Sequence, residues 1–306
     1  MAKLPSPLPT DLQYALGRHA HLLDDTTDAI RLIDGAADGF PDLILETFAN
    51  RLLVSTRRDS ALPLSLRRDF SSLGQSVYWK HLDQHQKTSP EPIAGPPVEE
   101  PFAILENGIR YRIDFAAGYS QGIFLDQRLN RLRVRETIQP GQTLLNTFAY
   151  TGAFSVAAAL AGATTTTLDL SQPYLDWARE NFQLNGLTAD EHYFCKGDTF
   201  HWLQRFAKQG RRFDGIVLDP PTFSRDKKGK VFTVEKDYGH LLDLALSCLQ
   251  PGGWILACTN CRQLSTDRFL ADLKAVAPRE AAIEVLPMPP EYPDEPYLKS
   301  LWLSLP

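Results

Sequence analysis

From residue 142 onward, apolar runs of strand length alternate with amphipathic runs of helical length. QTLLNTF precedes GAFSVAAALAG, TTTTLDL precedes QPYLDWARENFQLN, and HYFCKGD precedes TFHWLQRFAKQ. FDGIVLD precedes VEKDYGHLLDLALSCL, and GWILACT precedes TDRFLADLKAVA. No other feature constrains the fold as tightly. Right-handed crossovers turn such alternation into a parallel sheet with helices on both faces. Two closing runs, AAIEVLPM and PYLKSLWLSL, have no helix between them and add one antiparallel strand. The expected fold is α/β: a Rossmann-like sheet, mostly parallel with one antiparallel strand.

The chain before this region has a different character. Between Asp11 and about Lys80 short apolar runs (AIRLID, LILETF, LLVSTR) alternate with turn signals, which reads as a small sheet-rich module. TSPEPIAGPPVEEP, residues 88–101, is too rich in proline for a helix or a central strand and reads as a linker. The expected division is therefore residues 1–98, a small N-terminal α+β domain and linker, and residues 99–306, the α/β domain. RYRIDF reads as a strand. GIFLDQRLNRLRVRET reads as a helix with Leu125, Leu129 and Leu132 on one face and Arg128, Arg131 and Arg135 on another.

The formal net charge of −5 opposes generic, charge-driven binding of nucleic acid but leaves room for local basic surfaces. Such clusters exist: Arg128, Arg131, Arg133 and Arg135; Arg225, Lys227, Lys228 and Lys230; Arg211 and Arg212; Arg57, Arg58, Arg67 and Arg68. Each has the plainer reading of a solvated face. Cys195, Cys248, Cys258 and Cys261 form neither a disulfide framework nor a metal-ligand spacing, so no metal is expected. Without a bilayer-length apolar run or a signal-peptide core, the expected location is the cytoplasm.

Candidate site residues fall at strand ends, where open α/β sheets bind ligands. The turn after the first strand has only Gly152, too few glycines to cradle a pyrophosphate and better suited to an amino-acid moiety. Asp169 ends the second strand, where an acid accepts hydrogen bonds from ribose hydroxyls; its plainer role is a helix cap, which Ser171 can fill instead. Asp198 ends the third, placed equally well to meet an adenine amino group or to cap its own helix. Asp219, Pro220, Pro221 and Phe223 follow the fourth, as a rigid turn or as a substrate shelf. Together these features match the class I S-adenosylmethionine-dependent methyltransferase order.

GIFLDQRLNR, NTFAYTGAFSVAAALAGA, LDLSQPYLDWARENFQLNG and FDGIVLDPPTFSRDKKG resemble the bacterial 23S ribosomal RNA methyltransferases of the RlmI/RlmK kind. The resemblance covers nearly all of the chain from Glu99 and extends weakly into the sheet-rich module. It implies a cytoplasmic enzyme that moves methyl from S-adenosyl-L-methionine to a base of large-subunit ribosomal RNA. By the same resemblance Phe124, Asp126 and Arg128 help close the cofactor pocket. Asn146, Phe148, Tyr150 and Gly152 surround the methionine end, Asp169 holds the ribose, Asp198 lies near the adenine, and Leu170 and Asp219 also bind the cofactor.

Two departures bear on the expected chemistry. RlmI-like enzymes begin with an RNA-binding PUA domain, for which there is no room before Asp11. Cytosine-C5 methylation needs a cysteine nucleophile, and where the RlmI-like branch carries it this chain has Asn260, with Cys261 one residue on. The RlmK-like branch, associated with guanine N7, has asparagine there, so transfer to a nitrogen is expected. Such a ring nitrogen has its lone pair ready and needs no general base. Asp219 and the carbonyls of Pro220 and Pro221 are acceptors for a base, and Phe223 can stack on one extruded from its helix. The alternatives are transfer to cytosine C5, to a protein side chain or to a small molecule, and a non-catalytic binding module.

Overall fold

The computed structural model describes residues 8–57, 62–82, 88–118, 120–225, 231–294 and 296–306. The chain divides into two compact units, Met1–Arg128 with Pro289–Glu295, and Leu129–Met288 with Pro296–Pro306.

The first unit holds helices α1 (Thr10–His19) and α2 (Leu64–Ser71) and strands β1 (Ala29–Asp34), β2 (Leu43–Phe48), β3 (Arg51–Arg57), β4 (Val77–Leu82) and β5 (Glu91–Ala94). The strands pair in chain order, antiparallel except for β3 with β4, which α2 connects. Leu12, Ala15 and Leu16 of α1 pack into a core with Ile30, Ile33, Leu45 and Val54. Part of the proline-rich stretch forms β5, with Pro92 opposite Tyr78. Proline is tolerated there because an edge strand has a side on which no N–H is needed.

A hairpin follows, β6 (Phe102–Glu106) and β7 (Ile109–Ile113). It is tied to the same unit: the Asp28 N–H donates to the Leu105 carbonyl at 2.9 Å, and the Leu105 N–H donates to Asp28 Oδ1 at 2.7 Å. These bonds carry the first unit past the linker expected to end at residue 98. The division falls at Arg128, the first residue of α3 (Arg128–Thr137).

The second unit continues with β8 (Thr143–Thr147), α4 (Ala153–Leu160), β9 (Thr164–Asp169), α5 (Gln172–Leu184), β10 (Tyr193–Lys196), α6 (Thr199–Lys208) and β11 (Phe213–Leu218). Then come β12 (Phe223–Arg225), β13 (Val231–Thr233), α7 (Val234–Leu246), β14 (Leu249–Thr259), α8 (Thr266–Val276), β15 (Ala282–Leu286) and β16 (Lys299–Ser304). Seven strands form one sheet in the order β10-β9-β8-β11-β14-β16-β15. The first five are parallel, and β16 runs antiparallel to both its neighbours. The expected fold class is the one observed.

Alternate residues of each strand serve opposite faces, because successive side chains of a strand point to opposite sides. Ile216, Leu218, Ile255 and Ala257 join one core with Phe206, Leu241 and Leu242. Val217, Leu256 and Cys258 join another with Val134, Ala158 and Trp302. Strands buried on both faces read as near-continuous apolar runs, as GIVL and GWILAC do. The strand order reverses between β8 and β11, and open α/β sheets bind ligands outside the carboxyl ends of the strands at such a switch.

Candidate active site

In the turn after β8, Phe148, Tyr150 and Gly152 have φ of 51°, 50° and 74°. Bulky residues seldom adopt the left-handed region, and each costs about 1–3 kcal/mol there. The twisted turn aims the Tyr150 N–H at Asp169 Oδ2, 2.9 Å away at the end of β9. The Ser171 N–H donates to the other oxygen, Oδ1, at 2.8 Å. Asp169 is thus held by two backbone donors and caps no helix. Each oxygen still has acceptor capacity. Burial pushes its carboxyl above the usual carboxylate range, against the pull of the Ser171, Tyr150 and Leu170 N–H groups.

Gly152 is required by packing as much as by backbone conformation. A Cβ there would lie 2.7 Å from Ala178 Cβ, so the missing side chain lets α5 approach. Asn146 is buried, and its Nδ2 donates to Ser155 Oγ at 3.0 Å; Thr167 Oγ1 donates to the same oxygen at 2.8 Å. Asn146 therefore braces β8, α4 and β9 beneath the turn. From α5, buried Asn181 donates to the Thr151 carbonyl at 2.9 Å. The Tyr150 ring packs edge-on against Tyr174 at 4.6 Å between centroids. Ser155, Thr167, Tyr174 and Asn181 were missed by sequence reasoning. Only Asn181 had a usable signal, a polar residue on the buried face of α5.

Leu170 is 57% exposed, an uncovered apolar side chain directly after Asp169. Asp198 caps α6, Oδ1 accepting from the His201 N–H at 2.9 Å, so of its two expected roles the cap is the one seen. Asp219 follows β11, half-buried, with Pro220 buried and Pro221 exposed. Phe223 is 57% exposed and opens β12, paired opposite Thr233 of β13, so the Asp-Pro-Pro turn leads into a two-stranded antiparallel sheet. Phe232 of β13 lies 6.4 Å from the Phe148 ring, linking hairpin and turn. Beneath, the buried Tyr238 hydroxyl donates to the Leu218 carbonyl at 3.1 Å, and burial holds that phenol well above its ordinary value.

Phe124, Asp126 and Arg128 belong to the first unit, the other expected residues to the second. Phe124 is 42% exposed and Asp126 half-buried. Arg128 is buried, and Glu291 engages its guanidinium bidentately at 3.0 and 2.9 Å. Arg131 is also buried, which removes two members of that basic cluster from the surface. Lys227, Lys228, Lys230 and Arg58 lie outside the described residues. Cys258 and Cys261 are buried. Among the described residues no group of His, Cys, Asp and Glu is arranged to hold a metal ion.

A strained single-glycine turn, an acid held by two backbone donors after the second strand and an Asp-Pro-Pro turn after the fourth all lie at carboxyl ends of the parallel sheet. The chain belongs to the S-adenosylmethionine-dependent methyltransferase family, whose pattern it matches over residues 66–302. It is 35% identical to YwbD of Bacillus subtilis over 301 residues, 92% of this chain and 75% of that protein. Ribosomal RNA large subunit methyltransferase I of Klebsiella pneumoniae (strain 342) is 33% identical over 311 residues, 94% of this chain and 77% of that protein. Ribosomal RNA large subunit methyltransferase K of Neisseria meningitidis is 39% identical over 199 residues, 64% of this chain and 54% of that protein. The structure of SMU.776 complexed with SAH aligns with a TM-score of 0.87 at 27% identity, covering 96% of this chain and 80% of that chain. S-adenosylmethionine is accordingly the cofactor.

Proposed function

We propose that this enzyme methylates a base of large-subunit ribosomal RNA in the cytoplasm, at a nitrogen and by preference guanine N7. The observation that carries the choice of atom is the burial of both cysteines near the end of β14. Cys258 is fully buried and Cys261 is 2% exposed. Cytosine C5 needs an ionised, accessible thiolate to add to the ring. RNA as substrate is supported by the names of the relatives.

S-adenosylmethionine supplies the methyl group as an activated sulfonium carbon. Asp169 would hold the ribose, the turn through Tyr150 and Gly152 the methionine end, and Leu170 the side of the adenine. Asp219 would complete the pocket, and Phe124 and Asp126 would help to close it. The shelf would orient the base, with Phe223 stacked on it. Basic clusters, among them Arg225, Lys227, Lys228 and Lys230, would meet RNA phosphates without reading sequence.

Tritiated methyl transfer to undermethylated ribosomal RNA, set beside a protein extract, tests this reading. Label in RNA recovered as 7-methylguanosine supports it. Label in protein, or as 5-methylcytidine, overturns it.

A further inference from the structure

The loops that follow β11 and β14 are joined by a hydrogen bond: the Thr222 hydroxyl donates to Asn260 Oδ1 at 2.7 Å. The two strands are adjacent and parallel, Leu218 beside Ala257, so both loops leave the same edge of the sheet. Thr222 lies between the Asp-Pro-Pro shelf and exposed Phe223. Asn260 is itself exposed. With Oδ1 occupied, its amide keeps two N–H donors, which have no partner among the described residues. The backbone beside it is pinned. Buried Lys299 donates to the Cys261 carbonyl at 2.7 Å, and the Cys261 N–H donates to Thr259 Oγ1 at 3.2 Å.

We propose that Asn260 reads the substrate base, donating an amide N–H to the O6 of guanine while N7 accepts the methyl group. The inference rests on the guanine N7 reading above and names the residue that enforces it. An enzyme that alkylates N7 cannot also recognise the base through that lone pair. O6 is its neighbour on the same edge, where guanine presents an acceptor and adenine an amino donor. A protein donor at that position accepts guanine and clashes electrostatically with adenine. The side chains of the shelf supply no such donor. An ionised Asp219 only accepts, Pro220 and Pro221 have no N–H, and the Thr222 hydroxyl hydrogen is already given to Asn260. Asn260 supplies the missing polarity. The contact itself makes and breaks no covalent bond. In the transfer it serves, the N7 lone pair forms the N–C bond as the methyl–sulfur bond breaks, with that electron pair leaving on sulfur. A donor on O6 draws electron density from the ring, so Asn260 acts by recognition and positioning and not by activating N7.

The test begins with the nucleoside that the native enzyme produces, identified by mass spectrometry and mapped. Hairpin RNAs then carry, at the mapped position, guanine or 2-aminopurine, which keeps N7 and lacks O6. Asn260→Ala is expected to lower kcat/KM on the guanine hairpin by about 10- to 100-fold, the range for a specific base contact. It leaves the 2-aminopurine hairpin unchanged. Asn260→Asp, which keeps an acceptor for Thr222 but no donor, loses as much. Thr222→Val loses less, on guanine alone. Calorimetry with S-adenosylhomocysteine shows unaltered affinity in each variant, while affinity for the guanine hairpin falls. Equal losses on both hairpins, or none, with 7-methylguanosine still the product, overturn the role of Asn260 alone. A different native product overturns the N7 reading and this inference with it.

Discussion

Asp169 and Gly152 fix the turn after β8, one by accepting from its backbone and the other by leaving room for α5. Replacing Asp169 by alanine removes an acceptor that two backbone donors hold in place, and about 2–3 kcal/mol of cofactor affinity should be lost. Calorimetry with S-adenosylhomocysteine on the folded variant measures it. The carboxyl is raised by burial, so the fold favours its protonated form. The stability that Asp169 contributes is greatest below the unfolded value of 3.8 and falls as pH rises toward the folded value. Cofactor binding through the proposed ribose contact should have the opposite dependence, because ribose hydroxyls favour the ionised acceptor. Affinity should weaken as pH falls through that raised value, with proton release on binding above 3.8 detectable by calorimetry in buffers of different ionisation enthalpy. Gly152→Ala meets both a positive φ and the Ala178 Cβ. A loss of about 1–3 kcal/mol in a denaturant melt is expected, and no loss would mean that the turn and α5 can shift apart.

At the scale of elements, the cap of α6 can be separated by experiment from the adenine contact expected of the same residue. Asp198 accepts from the His201 N–H, as Ser265 accepts from the Arg268 N–H at the start of α8. Alanine at either position should cost about 1 kcal/mol of stability. Only at Asp198 can cofactor affinity fall as well, so calorimetry on both variants separates its cap role from an adenine contact. The β14 strand and its following loop allow a similar separation. Cys258 and Cys261 are buried, Cys258 accepting from the Asn130 amide and donating to Ser300 Oγ, and Cys261 donating to Gln263 Oε1. Replacing each by alanine should leave methyl transfer within about threefold in a folded protein, as expected of a thiol with a structural role. A covalent adduct between native enzyme and 5-fluorocytosine-containing RNA, lost with Cys261→Ala, would restore cytosine C5.

At the scale of the molecule, the chain does not pass through its two units in sequence. Between β15 and β16 it gives residues 289–295 to the first unit. There Glu291 pairs with Arg128, the Arg31 guanidinium lies 4.2 Å from the Tyr292 ring centroid, and Asp294 meets Arg57 at 3.2 Å. Arg128 and Glu291 are both buried, so removing one partner leaves an uncompensated charge. Glu291→Ala should destabilise the first unit by about 3–5 kcal/mol, and Glu291→Gln by less. Hydrogen exchange that quickens throughout β1 to β3 in the alanine variant would show the loss. Unchanged exchange there would mean that the segment is not needed by the sheet.

The sequence by itself determined the α/β unit. Parallel strands buried on both faces must be apolar runs, crossover helices must be amphipathic, and ligand groups must sit at strand ends, so Asp169, Asp198 and Asp219 were legible as letters. Tertiary structure decided what depends on partners distant in the chain. Arg128 reads as part of a basic helix face until Glu291 is brought to it. The proline-rich stretch reads as a linker until β4 offers an edge on which proline needs no donor. Asn260 reads as an absent nucleophile until Thr222, from another loop, donates to its oxygen and leaves the amide N–H groups for the proposed base contact. Local patterns encode periodicity and conformation, whereas pairing across the fold is fixed only when folding sets which groups must satisfy one another away from water.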